Sequence, residues 1–108
     1  MTDGSDTPVL DLLAKMTVDS LEQSTLDAET IMVARIAALV ALDAAPVSYL
    51  TNLEAAGEAG IDLEMLQGIL IAIAPIVGTA RVMSAASKVA EALGIAIAIA
   101  EADLSQTE

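Results

Sequence analysis

The sequence predicts an all-α fold, a helical bundle of about five to six helices, and three observations predict it. Helix start signals recur along its 108 residues: Thr7-Pro8, Leu26-Asp27-Ala28-Glu29, Ala45-Pro46, Ile61-Asp62 and Gly78-Thr79. The stretch 63–93 is dominated by apolar residues; its sixteen residues from Met65 to Ala80 carry no charge and are broken by Pro75 and Gly78. One segment alone, 95–100 (Ile-Ala-Ile-Ala-Ile-Ala), alternates as a strand does. A lone strand has no partner in its own chain, so 95–100 reads as a helical continuation against an interface.

Taken in order, residues 1–6 are an acidic end read as disordered. Thr7 then caps a short helix over 8–16, with Pro8 at its first position and Val9, Leu10, Leu12, Leu13 and Met16 on an apolar face. Residues 19–24 are polar and leave room for one further turn. Asp27 caps a helix over 28–44, and Glu29 sits favourably on its dipole. That helix is apolar almost all round, which marks it as central and buried, with Arg35 its lone interior charge. A buried guanidinium needs a carboxylate or carbonyl partner.

Pro46 opens the third helix, whose face is Val47, Leu50, Leu53 and Ala56; Gly57 and Gly60 are its stop signals. Asp62 caps a fourth helix over 63–74, which Pro75 ends or kinks. Gly78-Thr79 caps a fifth over 80–93, with Arg81, Ser84, Lys88 and Glu91 on one stripe before Gly94 interrupts. Residues 103–108 read as a frayed acidic tail. The organisation is an acidic arm over 1–24, an all-α domain over 25–101 and a tail over 102–108.

Composition narrows the chemistry. Apolar types make up 56% of the chain, only 19% is charged, and Tyr49 is the single aromatic. A folded monomer of 11 kDa would expose roughly 5,600 Å2. So few polar residues leave much of that area to apolar side chains, and such area normally lies between subunits. Cysteine and histidine are absent, which excludes disulfides, thiol nucleophiles, Cys/His zinc sites and histidine acid–base work. No calcium-type loop of Asp, Asn and Gly is present, so no metal or cofactor is expected. The net charge of −12 opposes nucleic acid and anionic membrane surfaces. The acidic N-terminus is unlike a signal peptide, and the uncharged run is too short for a bilayer span, so the expectation is a soluble cytoplasmic protein.

Residues 26–94 resemble the carboxymuconolactone decarboxylase and alkyl hydroperoxidase D-like family. The resemblance rests on Leu26-Asp27-x-Glu29-Thr30, the apolar helix containing Arg35, Tyr49-Leu50-x-Asn52-Leu53-x-Ala55-Ala56, Gly60-Ile61-Asp62-Leu63-Glu64 and 74–82 (Ala-Pro-Ile-Val-Gly-Thr-Ala-Arg-Val). It implies an antiparallel helical hairpin and a homo-oligomer, commonly a trimer or hexamer. The family's peroxidase branch uses Cys-x-x-Cys-x-x-x-His with an upstream acid. Those positions fall on Ala45, Ser48, Asn52 and near Val33, so the chain resembles a redox-silent member. Thiolate chemistry needs a sulfur, and Ser48 has no histidine base.

The candidate ligand-binding residues are Arg35, Ser48, Tyr49, Asn52 and Arg81. Arg35 and Arg81 can clamp a carboxylate; the structural reading is favoured at both, Arg35 in an ion pair with Glu29, Glu58 or a neighbouring subunit, and Arg81 as a solvated first-turn residue or an interface salt bridge. Ser48 and Asn52, four apart, share a helix face. Met32, Met65 and Met83 read as core filling. Two functions follow: an oligomer holding a small apolar or carboxylated ligand between helices, or an enzyme on a small organic acid or lactone with Tyr49 as proton donor. A third class is a scaffold or cargo partner docking through its acidic ends.

Overall fold

The computed structural model describes residues 6–107, side chains excepted at 95–97, 99–100 and 103–107. Its elements are all helical: α1 Pro8–Gln23, α2 Ala28–Ala41, α3 Pro46–Glu58, α4 Leu63–Val77 and α5 Thr79–Thr107. Of residues 1–6, expected to be disordered, 1–5 lie outside the described part.

The starts follow the sequence signals. The Asp27 carboxylate accepts from the Thr30 amide at 2.8 Å and Asp62 from the Met65 amide at 2.9 Å, each satisfying a donor that the first helical turn leaves open. The hydrogen bonds to Thr30 hold Asp27 below the usual carboxylate range. Pro8 and Pro46 occupy first-turn positions, where a missing amide loses nothing.

The ends of all five helices differ from expectation. First, α1 runs on to Gln23 instead of stopping near Met16, because 17–23 contains no Pro or Gly. Lys15 and Asp19, one turn apart at 2.8 Å, bridge the extension. Second, α2 stops at Ala41 and not at residue 44. Asp43 takes a left-handed conformation (φ 54°), its amide donates to Val40 O, and the Ala44 amide donates to Leu39 O, both at 3.0 Å. That is the paired-bond C-terminal cap normally made by glycine, here made by an aspartate.

Third, α3 passes through Gly57; Gly60 (φ 98°) makes the same cap, with its own amide on Gly57 O and the Ile61 amide on Ala56 O. Fourth, α4 continues past Pro75 to Val77. Pro75 lies so near the end that it deletes a single ladder bond, and Gly78 (φ 90°, ψ 159°) performs the stop. Gly94 does not interrupt α5. Residues 95–100 are helical as expected, and 103–107, read as a frayed tail, continue the same helix.

The core is thin. Met32 and Ile36 of α2 meet Ala56, Ile61 and Ile69 in one cluster; Val40 of α2 meets Tyr49, Ala85 and Ala92 in another. Both clusters draw on α2, so it is the central rod, with α3 and α5 packed together beside it and α4 reaching both clusters, through Ile69 in the first and Leu70, Ile73 and Val77 in the second. It is not buried all round, since Leu42 is 76% exposed at its cap. The buried face of α3 is Tyr49, Leu53 and Ala56, whereas Val47, expected inside, is exposed. Of the three methionines expected in the core, Met32 is buried and Met65 packs against it, but Met83 is exposed.

Among the described residues no side chain of α1 is buried. The radius of gyration is 15.7 Å, against about 13 Å for a compact chain of this length. Among the described residues no single helix is long and apolar enough to cross a membrane; α3 and α4 pass that test only together, and they are bent by 119°.

Backbone geometry sets opposite outcomes for two glycines. Gly78→Ala should destabilise by roughly 1–3 kcal/mol, because its φ and ψ lie where only glycine is at ease. Gly57→Ala, in the last turn of α3 with nothing within 4 Å of the new methyl, should stabilise by up to roughly 0.5–1 kcal/mol. Urea denaturation followed by circular dichroism measures both.

Candidate functional site

Two of the five candidates come together. Arg35 on α2 and Asn52 on α3 line a groove of about 370 Å3 under α1, whose walls include Leu13, Met16, Thr17 and Leu39. They also line a second groove of about 320 Å3 on the other side of α1, with Met32, Thr51 and Glu58. Thr17 borders both. α1 therefore lies over Arg35 with a trough on each flank.

Arg35 is half-buried, not the fully enclosed charge that the apolar helix suggested. Its Nη2 donates to Thr17 O at 3.3 Å, and among the described residues no carboxylate lies within ion-pair distance, so the expected pairing with Glu29 or Glu58 is not formed. The reason is α1: its extra turns carry Thr17 over Arg35 and supply a backbone carbonyl. Asn52 is tied to its own helix. Its Nδ2 donates to Ser48 O at 2.8 Å, which fixes the amide and presents Oδ1 as an acceptor. Ser48 contributes that carbonyl, and its side chain does not line either groove.

The other two candidates are elsewhere. Tyr49 is fully buried in the cluster with Val40, Ala85 and Ala92, and its hydroxyl has no hydrogen-bond partner among the described residues. Burial, then the negative charge of Asp43, pushes its phenol above the ordinary tyrosine range. A neutral phenol in the core, lining neither Arg35 groove, is badly placed as a proton donor to anything held there.

Arg81 donates to Ala41 O, at the C-terminal end of α2. Ser84 Oγ donates to Asp43 Oδ1 at 2.7 Å, and Lys88 Nζ reaches Asp43 Oδ1 at 3.0 Å and Asp43 O at 3.3 Å. The polar stripe of α5 is thus a clamp on the end of α2, where cations are favoured by the helix dipole. The Ser84 hydroxyl, then Lys88, holds the Asp43 carboxyl below its usual range.

Thr17 and Ser20 were missed by sequence reasoning because α1 was ended at Met16. The Lys15–Asp19 spacing and the absence of a helix breaker after Met16 were the available signals. Glu54 and Glu58, four apart on α3, are both exposed, and Glu58 borders the second groove. No group of three or more acidic residues is arranged to hold a metal ion among the described residues. Comparison with known proteins found no matching family model, no similar curated protein and no similar solved structure.

Two substitutions test this arrangement. Tyr49→Phe removes a buried hydroxyl that has no partner, and should be neutral or stabilising by about 1 kcal/mol at pH 7. The raised phenol value stabilises the fold fully below pH 10.0, the ordinary tyrosine value, and this is lost as pH rises through the folded value. The wild type should therefore lose stability above pH 10 more steeply than Tyr49→Phe in denaturation melts. Asp43→Asn should lower the melting temperature at pH 7. The Asp43 contribution is present above 3.8 and lost as pH falls through the lower folded value, so the gap between variant and wild type should close below that pH.

Proposed function

We propose that the protein is a homo-oligomeric all-α subunit, similar in plan to redox-silent members of the carboxymuconolactone decarboxylase-like family, that holds a small carboxylate with an apolar body in the grooves flanking α1. The observation that carries the assembly is area. The chain exposes 7433 Å2, roughly 1,800 Å2 more than a compact monomer of its mass. Fifteen large apolar side chains among the described residues are exposed, more than twice the number in the core. Removing such surface from water favours association by roughly 25 cal/mol per Å2 of apolar area before the entropy of association is subtracted. A closed ring of a few copies, a trimer or hexamer, is the form the resemblance implies.

The ligand reading rests on Arg35. Among the described residues it is the only cation lining either groove, it stands beside the largely aliphatic walls of the first groove in a chain of net charge −12, and the Thr17 carbonyl occupies one of its nitrogens. A guanidinium so placed favours a planar anion, and Leu13, Met16 and Leu39 favour an apolar remainder. Grooves of this volume suit a small molecule. The enzyme reading lacks such support, since Tyr49 and Arg81 lie away from the Arg35 grooves.

Native mass spectrometry at micromolar protein should show an oligomer; a spectrum of monomer alone overturns the assembly. Benzoate titrated into the protein should bind and benzamide should not. Arg35→Gln should weaken benzoate binding about tenfold or more, as loss of a hydrogen bond to a charged group predicts. Equal binding of benzoate by wild type and variant overturns the ligand reading and leaves the assembly standing.

A further inference from the structure

After its first turns, which carry Glu64 and Gln67, α4 is apolar on every side from Gly68 to Val77, yet only one side is covered. Ile69 is buried, and Leu66, Leu70 and Ile73 pack partly against the body. The outward face is Gly68, Ile71, Ala72, Pro75 and Ile76, and all five are exposed. Their spacing is i, i+3, i+4, i+7, i+8, the stripe by which a helix normally faces a core. Ile71 is 74% and Ile76 88% exposed, and nothing lies within 4 Å of where a methyl on Gly68 would stand. No charge interrupts the face between Gly68 and Ile76, in a chain with sixteen acids.

α1 has the complementary surplus. At 100° per residue its four charges, Asp11, Lys15, Asp19 and Glu22, gather in an arc of about 80°, while an apolar arc of about 200° runs from Leu12 round to Ala14. Leu13, Thr17 and Ser20, at the middle of that arc, face the chain's own grooves. Leu12, at one edge of the arc, and Val9, in the first turn ahead of the groove residues, line neither groove and are 58% and 69% exposed. Seven of the fifteen exposed large apolar side chains lie on α1.

We propose that α1 of one copy covers the outward face of α4 in a second copy, with Val9 and Leu12 packed on Ile71, Ala72 and Ile76. This rests on the self-assembly proposed above and names the surfaces. Area selects the pairing. A stable interface buries about 800 Å2 on each partner, and α4 alone presents only five residues, two of them small. Pairing α4 with α4 of the second copy would leave the whole α1 surplus in water. Arranged head to tail, each copy gives its α1 to one neighbour and receives an α1 on its α4 from the other, so a ring of a few copies uses every such surface. Large side chains on α1 then meet Gly68 and Ala72, where two helices can approach closely. All four α1 charges stay in solvent. α1 remains over its own grooves, so the Arg35 site is kept and closed from outside.

The absence of cysteine makes the test direct. Full-length Leu12→Cys and Ile71→Cys chains are co-expressed, oxidised and weighed without reduction. The expected product is a disulfide-linked pair with one chain of each kind, abundant at micromolar protein. Lys15→Cys, on the charged arc, should link to Ile71→Cys at least tenfold less. An oligomer in native mass spectrometry with no Leu12–Ile71 link overturns the pairing and leaves self-assembly standing. Equal linking by Lys15→Cys means random collision and also overturns it. A monomer overturns both readings. Ile71→Glu, at a side chain already in solvent, should leave the circular dichroism spectrum unchanged and shift the native mass to monomer; an unshifted oligomer counts against the proposal.

Discussion

A chain this rich in Ala, Leu, Ile and Val has more apolar surface than five helices of its length can hide among themselves. Burial needs partners on two sides of a helix, and 108 residues supply too few layers. The fold gives the available cover to α2, which joins both core clusters through Met32, Ile36 and Val40. α3 and α5 share the second cluster, and α4 closes the first. What remains, α1 and the outer half of α4, stays on the surface of the single subunit. The two grooves exist for the same reason: a helix with no buried side chain cannot settle onto the body and leaves a trough on either flank.

The polar residues are spent on helix ends. Asp27 and Asp62 cap starts, and Asp43 with Arg81, Ser84 and Lys88 secures the end of α2. Three of the four residues on the stripe of α5 are thereby committed to structure. Arg35 is the exception. It is held by one backbone carbonyl and opens onto aliphatic walls, which is why the ligand reading gathers on it and leaves Arg81 aside.

Much of the fold was legible because its signals are local. A capping carboxylate acts three residues away, and a proline or glycine acts on its own turn, so the starts of all five helices could be placed within a residue. Ends were less legible. Asp43 fills a left-handed position usually given to glycine, and it can do so because Ser84 and Lys88, some forty residues on, hold its carboxylate. Pro75 and Gly94 look like breakers but lie where a helix tolerates them, one bond from its end and in mid-ladder. The candidate site was half legible: the sequence marked Arg35 and Asn52, but not the extra turns of α1 that bring Thr17 across them.

By itself the sequence determined the all-α class, the helix starts, the loss of thiol and imidazole chemistry and the excess of apolar surface. Each follows from residue type or from neighbours within a turn. Only the tertiary structure decided that Tyr49 belongs to the core, that Arg81 clamps α2, and that Arg35 meets Asn52 under α1. Those depend on the rotation of each helix about its axis. In a chain whose helices are apolar on most sides, hydrophobic pattern leaves that rotation open, and contacts between distant segments set it.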